Sequence, residues 1–200
     1  GRLSSVIDIA MKDGNMNKTE IDAGIGLIAS RFAIQGPIKK NVASYIISAR
    51  RTYVDALIKP FISKTSSFYG SGYYFYDLNA KINYQFSDKD RIYLSGYFGR
   101  DNFKFNNTRR SFTTSIPWGN STATFRWNHV FNKKLFSNTS LIYSNYNYEL
   151  QIKSGSNDFR IFSQIRDWNL KQDYQYSISN KNNLRFGWSG IYHIIRPGEI

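Results

Sequence analysis

Apolar and polar side chains alternate along this chain with a period of two, and that pattern constrains the fold more than any other feature. From Asp77 to Phe86, the even positions Leu78, Ala80, Ile82, Tyr84 and Phe86 are apolar. The odd positions Asp77, Asn79, Lys81, Asn83 and Gln85 are polar. The stretch after Asp167 repeats the pattern: Trp168, Leu170, Tyr174, Tyr176 and Ile178 alternate with Asn169, Lys171, Asp173, Gln175 and Ser177. Phe125, Trp127 and Phe131 oppose Thr124, Arg126 and Asn128, and Phe186, Trp188, Tyr192 and Ile194 share one parity. A strand sends successive side chains to opposite faces, so these stretches predict strands with one apolar and one polar face. Between Leu135 and Ile152 the apolar parity switches near Tyr143 to Tyr146, which predicts a β-bulge.

The breaks are of two kinds. Short polar turns, Ser87-Asp88-Lys89-Asp90, Asn132-Lys133-Lys134 and Ser179-Asn180-Lys181-Asn182, recur about 45 residues apart. Longer irregular stretches fall between them at Tyr53 to Gly72, Asn106 to Pro117 and Lys153 to Asp158. Short turns alternating with longer loops are the layout of an outer-membrane barrel, with turns periplasmic and loops outside. Nine strands follow, at about 18–27, 28–36, 42–52, 73–86, 91–105, 119–131, 135–152, 159–178 and 183–196. Several exceed the ~9–11 residues that cross a bilayer and are expected to project beyond it. Tyr84, Phe86, Phe131, Phe136 and Phe186 flank the short turns, where an aromatic girdle belongs.

Composition agrees. The 200 residues include 15 Tyr, 15 Phe and 4 Trp, yet mean hydropathy is −0.48. No run approaches the ~18 apolar residues of a membrane helix. With no Cys, there is neither a disulfide framework nor a thiolate metal site. The net charge of +13 is scattered, with pairs only at Lys39-Lys40, Arg50-Arg51, Arg109-Arg110 and Lys133-Lys134. That dispersion argues against nucleic acid and fits a solvated surface, or attraction to anionic partners such as outer-membrane lipid and lipopolysaccharide. A β-sandwich also alternates, but its strands are typically about five or six residues long. Gly1 opens the chain without a signal peptide, so an exported parent is expected to extend before it.

The first sixty residues carry a sharper signal. Gly1-Arg2-Leu3-Ser4-Ser5-Val6-Ile7-Asp8-Ile9-Ala10-Met11-Lys12-Asp13-Gly14-Asn15 resembles the end of the plug in TonB-dependent receptors of the Bacteroidetes type. Gly24-Ile25-Gly26-Leu27-Ile28-Ala29-Ser30-Arg31 and Gln35-Gly36-Pro37-Ile38 resemble that family's first two barrel strands. Ser48-Ala49-Arg50-Arg51-Thr52-Tyr53-Val54-Asp55 with Lys59-Pro60-Phe61 resembles the third strand and the loop after it. The resemblance implies residues 1–17 as the end of a plug, including its last strand. It implies 18–200 as the first part of a transmembrane β-barrel, about nine of 22 strands. It further implies active uptake of a siderophore, cobalamin, glycan or similar small nutrient. The remainder of the barrel and plug and the TonB complex are the implied partners. Arg196-Pro197-Gly198-Glu199-Ile200 reads as a loop rather than a closing aromatic strand, which suggests truncation.

No constellation for catalysis stands out, and neither a metal nor a cofactor is expected. His129 shares parity with Trp127 and Phe131 beside a turn and reads as interfacial. His193 shares parity with Arg185 and Ser189 and reads as a lumen residue. Ser189 and His193 are roughly 13 Å apart along one strand, too far for a nucleophile and its base. Gly24-Ile25-Gly26-Leu27-Ile28-Ala29 lacks the helix and βαβ setting of a dinucleotide site. Asn106-Asn107-Thr108 matches a glycosylation sequon that is common by chance. Lumen parity selects Asp77, Asn79, Lys81, Arg126, Asp167, Lys171 and Asp173 as groups to hold a plug and a polar ligand. Their plainer reading is a water-facing wall. Phe68, Tyr69, Phe112 and Trp118 are expected in loops, able to grip a ligand from outside. The alternatives are a passive outer-membrane pore or structural barrel, and a secreted glycan-binding β-sandwich.

Overall fold

A computed structural model describes residues 11–179 and 181–199. The expected plug strand within Gly1–Ala10, and Asn180 of the third turn, lie outside the described residues. Among the described residues nine strands form one antiparallel sheet in chain order: β1 Glu20–Ile25, β2 Ala29–Lys39, β3 Ala43–Thr52, β4 Gly72–Gln85, β5 Asp90–Asn107, β6 Phe112–Val130, β7 Leu135–Ser154, β8 Asn157–Ser177 and β9 Asn183–Glu199. Each strand pairs with its neighbour in sequence, as one wall of a barrel requires. A sandwich needs a second sheet to cover the first, and the described residues form none.

The short turns share one design. Phe86 donates to the Asp90 carbonyl, Phe131 to Leu135 and Ile178 to Asn182, each at 2.9–3.0 Å. The first turn residue supports the bend: Ser87 Oγ accepts from the amides of Lys89 and Asp90, and Asn132 Oδ1 from those of Lys134 and Leu135. Ser and Asn suit this place because their short side chains reach the backbone two residues on.

Ala43 is the one fully buried apolar side chain among the described residues. The apolar strand positions instead cover one open face. Ile82, Leu94, Phe125, Leu141 and Leu170 form a single cross-strand row and are 42–54% exposed. A continuous exposed apolar band is what a lipid-facing wall presents. The opposite face is covered at the short-turn end by residues 11–17. There Lys81 Nζ donates to the Met11 carbonyl at 2.9 Å and pairs with Asp13 at 2.7 Å. Beneath that segment Asn83 donates to Ser44 Oγ at 2.6 Å, both fully buried. This covered face is the inner one.

Three expectations need correction. The parity switch in β7 is not a bulge, since pairing with β8 runs unbroken from Leu135–Tyr176 to Ser154–Asn157. The apolar side chains change faces along a regular strand, and the register shifts fall at Pro37/Lys39 and Phe162/Gln164 instead. The stretches Asn106 to Pro117 and Lys153 to Asp158 are mostly strand. β6 begins at Phe112, and its ladder to β7 skips Ile116 and Pro117, where proline has no N–H to offer. The β7–β8 hairpin turns at Gly155-Ser156, with Gly155 at φ 58°, where glycine avoids a Cβ clash. Finally, Arg196 to Glu199 belong to β9 rather than a loop.

Tyr53 to Ser71 is the true long loop, containing a helix α1, Val54–Ile58, and a 3₁₀ turn at Lys59–Phe61. It is sewn to the β5–β6 tip through Asn106. The Asn106 amide group donates to the Tyr69 carbonyl at 2.6 Å, and its Oδ1 accepts from Thr113 at 2.7 Å. Phe68 packs on Phe105, ring centroids 5.7 Å apart. The sequon asparagine is thus a structural hub.

At the short-turn rim, on the outward face, Asp90 Oδ1 accepts from Trp127 Nε1 at 3.0 Å and meets His129 Nδ1 at 2.6 Å. His129 also stacks edge-on against Phe131 at 4.4 Å. Its hydrogen bond from His129, foremost, holds the Asp90 carboxyl below the usual carboxylate range, helped by Trp127 and Ser87.

Two outcomes follow. In the full-length protein in phospholipid vesicles, Leu94→Arg costs about 2–4 kcal/mol by urea unfolding, while Ser95→Arg on the inner face costs less than ~1 kcal/mol. Equal costs would reverse the assignment of faces. Because Asp90 titrates below its unfolded value, its contribution is present above the ordinary carboxylate pKa and fades as pH falls through the lowered folded one. Asp90→Asn removes that part of the acid-side stability loss, read from urea midpoints against pH.

Candidate functional site

The inner face has two levels. Near the short turns it is polar and cationic. Tyr93 is ringed by Lys81 Nζ at 5.3 Å and by the guanidinium carbons of Arg91 and Arg126, both at 5.6 Å. Arg91 reaches Asn83 at 3.4 Å and the Met16 sulfur at 3.7 Å, while its buried Nε has no partner. Further along β1 to β4 come two ion pairs, Arg31 with Asp22 at 3.6 Å and Arg50 with Asp77 at 2.7 Å. Register explains these meetings: Arg50 lies directly opposite Asp77, and Asn83 opposite Tyr93, which lies opposite Arg126.

All seven lumen-parity candidates fall on this inner face. Lys81 and Arg126 share the Tyr93 cluster. Asp77 is tied to Arg50, and Asn79 lies opposite Tyr97. Asp167, Lys171 and Asp173 stand apart from these on β8. There Asp167 meets His193 Nδ1 at 2.7 Å, and Lys171 meets Asp173 at 3.0 Å.

Toward the long loops the inner face turns aromatic. Phe75, Asp101, Trp118 and Tyr148 form one cross-strand row, with Tyr73, Phe103 and Ile116 in the next. Leu150 opposite Ile161 and Ile152 opposite Phe159 continue it onto β8. At the same height the outward face of β7 carries Asn145, Asn147, Glu149, Gln151 and Lys153. Polarity is therefore inverted relative to the lipid-facing half. Of the four aromatics expected in loops, Phe68 and Tyr69 lie in the long loop, while Phe112 and Trp118 are β6 strand residues. Trp118 turns inward, stacked against Tyr73 with centroids 6.2 Å apart.

Tyr73, Phe75, Asp101, Phe103 and Tyr148 were not among the expected site residues. The signal was present: the alternation that holds from Asp77 onward fails at Tyr73 and Phe75, where both faces are aromatic. Among the described residues no group of three His, Cys, Asp or Glu is placed to hold a metal ion.

No family model matches the chain, and no curated protein matches it. Among solved structures, the fold is similar to that of the ferric yersiniabactin uptake receptor FyuA from Yersinia pestis, with a TM-score of 0.53 and 12% identity. The match covers 92% of this chain and 36% of that receptor, so the chain spans little more than a third of its length. At this identity the likeness is one of fold.

Lys81 is the anchor of the covering segment, with its side chain only 10% exposed. Lys81→Met is expected to raise amide hydrogen exchange at Asp13 to Asn17 by at least tenfold, since a hydrogen bond to a charged group is worth about 1.5–3 kcal/mol. Unchanged protection would mean that other contacts hold the segment.

Proposed function

We propose that this chain is part of a TonB-dependent outer-membrane receptor that takes up a small nutrient. In that reading residues 1–17 end a plug and 18–200 begin the barrel. The short turns face the periplasm and the long loops the outside. The observation that carries the reading is the route of residues 11–17. They run along the inner face, bonded to Lys81, before the chain enters the wall at β1. A barrel whose wall is reached from within its own lumen is one with a domain inside. A passive pore has no use for that route.

Supporting it, among the described residues β1 and β9 each pair on one side only. Lipid tolerates no open sheet edge, so further strands of the same barrel complete the wall. The outward apolar band and the aromatic rim suit outer-membrane lipid and lipopolysaccharide as surroundings. The polar lower lumen suits a plug surface, and the aromatic upper lumen suits a ligand.

Two measurements on the full-length protein test this. Reconstituted in a planar bilayer it shows no steady conductance, and it opens when the residues through Asn17 are deleted. It also binds the isolated periplasmic domain of TonB. A steady open current in the intact protein would favour the passive pore, and failure to bind TonB would remove the energy coupling.

A further inference from the structure

We infer that the inner wall near the long loops recognises an organic ammonium group carried on an aromatic or apolar body, through Asp101 and the rings of Tyr73, Phe75 and Trp118. This deepens the proposed function and rests on the inner face being a receptor lumen. The ladder sets Asp101 directly opposite Phe75 on β4 and Trp118 on β6. Tyr73 lies diagonally across and donates its hydroxyl to Asp101 Oδ1 at 2.6 Å. The Tyr73 ring is 6.1 Å from that of Phe75 and 6.2 Å from that of Trp118, inclined 24° to the latter. Three rings therefore flank one carboxylate: Tyr73 by its hydrogen bond, Phe75 and Trp118 by register on either side. Below them Tyr97 lies across Gly99, in space that a Cβ at residue 99 would occupy, and closes the floor.

Charge decides what such a wall selects. Asp77, another carboxylate of this face, two residues along β4 from Phe75, is neutralised by Arg50, whose guanidinium also sits 4.9 Å over Phe75. Asp101 has no such partner: no described Lys, Arg or His comes within ion-pair distance of it. The cations beside it in sequence, Arg100 and Lys104, both lie at outward-facing positions of β5. Ring faces carry negative quadrupole density, so a carboxylate among them favours a cation twice, by charge and by cation–π attraction. An anion is repelled, and a neutral ligand leaves the carboxylate with the Tyr73 hydroxyl and no counter-charge. The surrounding apolar side chains, Phe103 and Ile116, favour a body that is itself apolar.

The test uses calorimetry on the full-length protein in detergent, with phenethylamine and the neutral 2-phenylethanol as probes. The amine is expected to bind at least ten times more tightly than the alcohol. Asp101→Asn keeps an acceptor for the Tyr73 hydroxyl and is expected to abolish the preference. Trp118→Leu weakens the amine several-fold. Equal binding of the two probes to the unaltered protein overturns the inference, as does a preference that survives Asp101→Asn. If a cation from another segment of the protein fills the site, the amine shows no preference, which also overturns it. Neither readout involves conductance or TonB, so this site and the receptor reading fail separately.

Discussion

Inside hydrocarbon no water answers a peptide N–H or C=O, and each one left alone costs roughly several kcal/mol. A wall of strands meets that constraint only by hydrogen-bonding sideways, residue for residue. The ladder from β3 to β8 does so with almost no interruption, and its gap at Ile116 and Pro117 lies in the upper half, beside polar outward residues. Everything else depends on this register. It sends alternate side chains to lipid and lumen, lines up Ile82 with Leu94, Phe125, Leu141 and Leu170, and sets Arg50 against Asp77.

The inversion of polarity with height gives the wall its two jobs. Where the outward side chains are Leu141 and Tyr143, the wall is built for lipid. A few residues further along the same strand the outward ones are Asn147 and Glu149, and the apolar ones, Tyr148 and Leu150, point inward. In the proposed receptor this half of the wall stands past the membrane, where the outward face meets water and has no need to be apolar. The inner face there would be free to serve the recognition proposed above, while nearer the short turns it stays polar and meets the segment anchored by Lys81.

Much of the fold was legible from alternation alone, because a period of two is a local property of extended backbone. Asp77 to Phe86 announced both its strand and its faces. The turns at Ser87, Asn132 and Ser179 were legible because their side chains act on amides two or three residues away. What local pattern misread was the meaning of a parity switch. Along a single chain, a bulge and a change of environment look alike, since both move the apolar residues from odd to even positions. Trp118 reads as a loop residue for another reason: it adjoins the irregular stretch ending at Pro117, yet the ladder carries β6 through it.

The sequence by itself determined which residues share a face, since that follows from the geometry of each strand alone. It also determined the places where the chain reverses. Only the tertiary structure decided which face is inner, because that rests on Lys81 holding Met11 and Asp13 across seventy positions of chain. The aromatic wall around Asp101 was likewise settled only by the ladder. Phe75, Asp101 and Trp118 become neighbours through pairing register, a relation between strands that no one strand contains.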